Sequence, residues 1–178
     1  MDVRQFVEKG YVPYNDEVYF GTHDKGSSFS ASHTLEYSFS AYAVAQWAKV
    51  LGKTDDYKRL MELSTGWAKL FDDTNKVIRP RLENGEFIDK FNPLEPWRGF
   101  QEGNAVQYTF FVPQDPEGLI KRVGVDLFNN RLDSIFTEAR KSVFGGGKVT
   151  YAFSGLQSPY NHGNQPNLHI SWLFNCLL

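Results

Sequence analysis

From residue 32 to residue 51 the chain is apolar around most of a helical circumference, with Leu35, Phe39, Tyr42, Ala43, Val44, Ala45, Trp47 and Ala48. A helix of that kind is stable only where neighbours cover it on both sides, so a protein of packed helices is expected around it. Gly52 supplies the stop, because glycine adopts the left-handed cap conformation at no steric cost. A second helix is predicted over residues 55–71. Thr54 is placed as its N-cap, and Asp55 and Asp56 suit the positive end of the helix dipole. Tyr57, Leu60, Met61, Ser64, Trp67, Leu70 and Phe71 recur on one face, while Lys58, Arg59 and Glu62 fall elsewhere. The short link Gly52-Lys53-Thr54 makes the two helices antiparallel neighbours.

Composition narrows the function classes. The 178 residues carry 19 Lys and Arg against 21 Asp and Glu, a net charge of −2 without the basic stripe a nucleic-acid binder needs. Charged residues at 22% and apolar residues at 41% exclude a disordered chain. No apolar run approaches the roughly 18–20 residues that cross a bilayer, so no membrane partner is expected. The first ten residues lack the apolar centre of a signal peptide. One cysteine, Cys176, excludes an intramolecular disulfide and a cysteine zinc cluster. It lies in an apolar run and is expected to be inert core. Aromatics are abundant at 16%, which suits large packed helices or a site that stacks flat ligands such as sugars.

Beyond the helix pair, residues 77–82 and 86–89 flank Asn84-Gly85, a hairpin-turn signal, with Pro80 restricting the ribbon to an edge. Further helices are predicted over residues 104–111, 116–123, 127–141 and 167–178. The fourth of these buries Ile170, Trp172, Leu173 and Phe174, and the third sets Leu127, Leu132, Ile135 and Phe136 toward the core. Residues 144–147 read as a flexible connection. Gly145-Gly146-Gly147-Lys148 fails as a phosphate loop, since Ser142 stands where a glycine is needed and Val149 where Ser or Thr is needed. His162 and His169 are spaced for two helical turns, but Gly163 and Pro166 interrupt them, and with His23 and His33 they make no zinc pair. The chain stops on Cys176-Leu177-Leu178 without a cap, and a truncated helix is expected there.

Three segments hold polar chemistry outside helix patterning. Ser32-His33-Thr34-Leu35-Glu36-Tyr37 sets a carboxylate on a helix with little polar face, where Glu36 is either a first-turn carboxylate or a buried site residue with a raised pKa. Trp97-Arg98-Gly99-Phe100-Gln101-Glu102-Gly103-Asn104 places Glu102 among Trp97, Phe100 and Tyr108, where desolvation suits a general acid. The alternative makes it an ordinary first-turn glutamate. Residues 160–169 gather three Asn, one Gln, two His and one Tyr. Such neutral groups bond sugar hydroxyls in pairs, and amide oxygens accept a hard cation such as calcium. A solvated loop is the alternative.

In their order and spacing these segments resemble glycoside hydrolase family 92. The resemblance rests on Thr34-Leu35-Glu36-Tyr37, Arg79-Pro80-Arg81, Glu102-Gly103-Asn104-Ala105 with Gln107-Tyr108, Phe111-Val112-Pro113 with Asp115 and Gly118-Leu119, and His162-Gly163-Asn164-Gln165-Pro166 with His169 and Leu173-Phe174-Asn175. It implies an all-α chain, a partial (α/α)6 toroid of antiparallel helix pairs with a small β-hairpin in a loop. Residues 1–178 would be part of the catalytic domain, without the N-terminal β-sandwich and the C-terminal base-bearing segment of the same enzyme. It implies an inverting, calcium-dependent exo-α-mannosidase, acting on α-1,2-linked terminal mannose of N-glycans or mannans, and working outside the cytoplasm: secreted, periplasmic or at the cell surface. Glu102 would be the general acid. Glu36, Trp97, His162, Asn164 and His169 would meet the sugar, and Asn164 and Gln165 the calcium.

The chain departs from the family pattern where Gln165 stands for Glu, Leu168 for His and Val106 for an aromatic residue. The Gly-Asp-x-Asp-like motif that bears the catalytic base would follow Asn175 and is absent. An isolated chain without activity is therefore expected. A non-catalytic sugar-binding or scaffold remnant on the same fold is the alternative.

Overall fold

The computed structural model describes residues 2–18, 25–142 and 155–177. His23, residues 144–147 and the rejected phosphate-loop pattern lie outside them. A short helix α1 (Val3–Lys9) leads to the long α2 (Ser30–Val50), and α3 (Thr54–Ser64) returns antiparallel against it. Gly52 makes the turn in the left-handed conformation, φ +68°. Two strands follow, β1 (Phe71–Asp72) and β2 (Val77–Ile78), then α4 (Ala105–Tyr108), α5 (Pro116–Val123) and α6 (Val125–Ser142). Two 3-10 segments, Gln165–Asn167 and Ile170–Leu177, close the described chain. Among the described residues the protein is thus helix-rich, with one small antiparallel sheet.

Several boundaries differ from expectation for local reasons. Lys53 holds the N-cap position of α3 without a side-chain bond, and Thr54 is its first residue. The helix stops at Ser64. A 3-10 turn, Gly66–Leu70, then carries Trp67 and Leu70 into the core, and extended Phe71 opens β1. β2 pairs with β1, Phe71 opposite Ile78 and Asp72 opposite Val77. The expected Asn84-Gly85 hairpin survives as a turn with one bridge, Arg81 to Phe87. The buried Asp72 explains the stronger pairing. Its Oδ1 accepts from the Thr74 and Asn75 amides at 2.9 and 3.1 Å, and Oδ2 meets Arg79 Nη1 at 3.0 Å.

The core runs between the first turns of α2, the Trp67–Phe71 stretch, α4, α5 and α6. Leu35, Leu70, Phe100, Leu119, Phe128, Leu132 and Ile170 are enclosed. Phe128 takes the inward place on α6 expected for Leu127, which is 38% exposed. The all-round burial expected for α2 holds only in its first half. Trp47, Val50 and Leu51 are 75, 83 and 66% exposed, because α3 is the main element packed on α2 among the described residues and leaves that end of the helix open. The final segment is 3-10 rather than α-helical. It buries Ile170 and Leu173 and leaves Trp172, Phe174 and Cys176 at the surface, so Cys176 is not core. No helix among the described residues is long and apolar enough to cross a membrane.

Candidate active site

The head of α2 docks on the loop that follows Trp97. Gly99 N donates to Ser28 O at 2.8 Å, and Ala31 N and Ser32 N donate to Gly99 O at 3.0 and 3.1 Å. Gly99 sits at φ +92°, and a Cβ there would strike the Pro80 ring, so this crossing accepts no larger residue. Gln101 N then donates to Ser32 Oγ at 2.8 Å. The next residue, Glu102, has φ +52°, and Trp97 has φ +70°. Left-handed backbone is costly for such residues, on the order of 1–2 kcal/mol each, and persists only where the surroundings impose it.

Asn104 caps α4 by accepting from Gln107 N at 3.1 Å, which sets its start, and the helix predicted over 104–111 runs only from Ala105 to Tyr108. The amides of α4 then hold the loop expected to meet sugar. Asn104 Nδ2 donates to Leu156 O and Ser158 O at 2.8 and 2.9 Å. Gln107 Nε2 donates to Gly155 O and Ser158 O at 3.0 and 2.7 Å, and Gln107 Oε1 accepts from Asn167 Nδ2 at 3.2 Å. Asn164, buried, donates from Nδ2 to Glu102 O at 2.7 Å. This bond brings the Glu102 turn and the amide-rich loop to one place.

Tyr108 lies beneath them and donates to Gln101 O at 2.7 Å. Burial pushes its hydroxyl up to about 12; the Glu36 and Glu102 charges act the same way, and Ser32 opposes them. Of the two readings of Glu36, a first-turn carboxylate or a buried site residue, the exposed side chain lacks the full burial of the second. Partial desolvation still raises its carboxyl, with His33 opposing. Glu102 is also exposed rather than enclosed by aromatic rings. Half-buried Trp97 packs on Phe29 at 5.9 Å between ring centroids.

The remaining residues separate. His162 is exposed and shares a hydrogen bond with the Tyr160 hydroxyl. Gln165 is exposed beside Asn164. His169 faces the core: Nε2 bonds Phe110 O at 2.8 Å, the ring meets Phe111 edge-on at 5.7 Å, and burial lowers its pKa. Its Nε2 is engaged in structure rather than turned toward the Glu102 turn. A cleft of about 530 Å³ on the Val106 side of α4, walled by Pro93, Leu94, Phe110 and Ile135, includes none of the candidate residues.

Asn104, Gln107 and Asn167 stand within the segments quoted above, but their clamping of the loop at 155–169 is not legible there. That role depends on which carbonyls the fold brings within reach. Amide oxygens of Asn164 and Gln165 have the chemistry a hard cation accepts, and two neutral oxygens fill part of a calcium shell of roughly six to eight. Among the described residues no three His, Cys, Asp or Glu side chains group as a metal site.

The sequence profile of the glycosyl hydrolase family 92 catalytic domain matches residues 1–177. The chain belongs to this family. Solved family 92 structures agree over nearly its whole length. The family GH92 alpha-mannosidase BT3965 from Bacteroides thetaiotaomicron superposes with a TM-score of 0.79 at 35% identity, covering 98% of this chain and 20% of that one. The same enzyme in complex with mannoimidazole gives 0.79 at 32% identity, over 98% and 22%. The family GH92 inverting mannosidase BT2199 from Bacteroides thetaiotaomicron VPI-5482 gives 0.77 at 25% identity, over 98% and 23%. Among curated proteins, an uncharacterized secreted glycosidase of Arthroderma benhamiae is 30% identical over 138 residues, 65% of this chain and 17% of that protein. A histone-lysine N-methyltransferase, ATXR4, of Arabidopsis thaliana is 28% identical over 109 residues, 56% of this chain and 34% of that protein. The family 92 chain thus spans about a fifth of the solved mannosidases, and 17% and 34% of these curated relatives.

Proposed function

We propose that this family 92 chain is the acid-bearing part of an inverting, calcium-dependent exo-α-mannosidase. It would act on α-1,2-linked terminal mannose of N-glycans or mannans, outside the cytoplasm. The observation that carries the reading is the 2.7 Å bond from Asn164 Nδ2 to the carbonyl of Glu102, a residue held in left-handed backbone. It supports one shared site for a carboxylic acid and a set of neutral hydrogen-bonding groups.

In this reading Glu102 donates its proton to the glycosidic oxygen as the bond to the departing group breaks. A carboxylate supplied by another part of the toroid takes a proton from water on the opposite face, about 6.5–9.5 Å from Glu102, which gives inversion. The exposed Glu102 and Glu36 carboxyls become enclosed when substrate and the rest of the toroid cover them. Trp97 offers a ring for the sugar face, and His162 offers a polar edge. Asn164 and Gln165 are the residues that would hold calcium, which when bound supplies a cation for sugar hydroxyls.

The 178 residues span about a fifth of the solved mannosidases, and in this reading they release no mannose on their own. Gln165, without the charge of a glutamate, favours a second reading: a carbohydrate-binding or scaffold remnant. Proton NMR of the full-length protein hydrolysing an α-1,2-mannobioside separates the two. The β-anomer appearing first, in a calcium-dependent reaction, is the expected result. An α-anomer appearing first overturns inversion, and no hydrolysis with intact mannoside binding selects the scaffold reading.

A further inference from the structure

His33 lies outside the roles assigned above, yet it is the most deliberately held imidazole among the described residues. Its Nδ1 meets Asp2 Oδ2 at 2.6 Å, and the other oxygen of Asp2 accepts from Tyr37 O–H at 2.8 Å. The Asp2 side chain is 3% exposed. Burial alone would raise its pKa, but the bonds from His33 and Tyr37 outweigh that and lower it, so Asp2 acts as an acceptor only. The proton between the two groups therefore belongs to Nδ1, and in the neutral ring Nε2 carries the lone pair. The ring is braced by Phe29 at 6.3 Å and Tyr37 at 6.1 Å, and Phe29 in turn meets Trp97. Among the described residues Nε2 has no hydrogen-bond partner, and the side chain is 23% exposed.

Helical geometry turns each residue by about 100°, so Glu36 projects between Ser32 and His33 on α2. Ser32 is the residue that accepts from Gln101 beside Glu102. Glu36 and His33 thus share one side of the α2 head, beside Ser32, whose buried hydroxyl ties that helix to the Glu102 turn. A histidine with one nitrogen tied to a buried carboxylate and the other free is set to bond a ligand rather than to stabilise the fold.

We propose that His33, oriented by Asp2, is a further substrate-contacting residue, whose Nε2 bonds a hydroxyl of the sugar lying along Glu36. This rests on the sugar-site reading above. The test uses the full-length protein and methyl α-mannopyranoside, followed by NMR. The His33 Nε2 resonance shifts together with the Glu102 and Asn164 amides. His33→Asn keeps a donor for Asp2 but deletes Nε2; it should melt like wild type and bind about fivefold to tenfold more weakly. His33→Gln keeps a polar atom near the Nε2 position but loses the Asp2 bond, so it should melt earlier and bind more tightly than His33→Asn. If the Glu102 and Asn164 amides shift while the Nε2 resonance stays fixed or His33→Asn binds as wild type, the His33 contact is refuted and the sugar site stands. If none of these signals moves, the sugar-site reading falls and takes this contact with it.

Discussion

Gln107→Leu tests whether α4 is the clamp for the amide-rich loop. Gln107 is fully buried and makes three side-chain bonds, to Gly155 O, Ser158 O and Asn167 Nδ2. Leucine fills a similar volume and makes none of them. Each abandoned group keeps another partner. Ser158 O still accepts from Asn104 Nδ2, Gly155 O from Ser158 N, and Asn167 Nδ2 still donates to Asn161 O. The loss is therefore the net value of three bonds, about 3 kcal/mol, without the larger penalty for stranded polar atoms. Urea unfolding reads the total, and amide hydrogen exchange over residues 155–169 shows where it falls. Exchange there should quicken more than exchange in α2. A cost under about 1 kcal/mol with unchanged exchange refutes the clamp.

Three further outcomes follow from individual groups. Asp72 has its carboxyl lowered to about 2: burial opposes ionisation, but the bonds from Asn75, Arg79 and Thr74 overcome it. A lowered acid stabilises above its unfolded pKa and ceases to as pH falls through the folded value. Asp72→Asn should thus cost about 2 kcal/mol at neutral pH and flatten the stability curve between about pH 4 and 2 in urea titrations. His169 has a lowered pKa, so the unfolded chain takes up a proton that the folded one resists. Stability should fall as pH drops below the ordinary histidine range, and His169→Gln should remove that dependence in the same assay. Glu102→Gly relieves left-handed strain and should raise thermal stability by about 1 kcal/mol; a loss of that size contradicts a strained site.

The helix pair and the α5 and α6 segments were legible because apolar spacing, Gly52 and the Asp115-Pro116 start are local signals. The 3-10 breaks after Ser64 and Pro166 were not, since they follow from how Trp67 and Ile170 reach the core. The pairing of β2 with β1 escaped the sequence reading for a similar reason. Asn84-Gly85 announces its turn locally, whereas Asp72 and Arg79 bind only after the chain has folded. At the site, Glu102 and Asn164 were recognisable as chemistry, and their meeting required coordinates. His33 was visible in the same segment as Glu36, one helical turn before it. Its weight came from Asp2, at the far end of α1, which no local pattern links to it. The exposure of Glu36 and Trp47 shows the converse limit: apolar content announces a face that needs cover without saying what covers it.

The central claim concerns one proton donor at a sugar site. Its most direct test is the rate of mannose release by the full-length protein with Glu102→Gln, measured beside mannoside affinity. The account predicts a fall of about 10²–10⁴-fold in rate, the usual share of a general acid, with affinity unchanged. Release at an undiminished rate would contradict it.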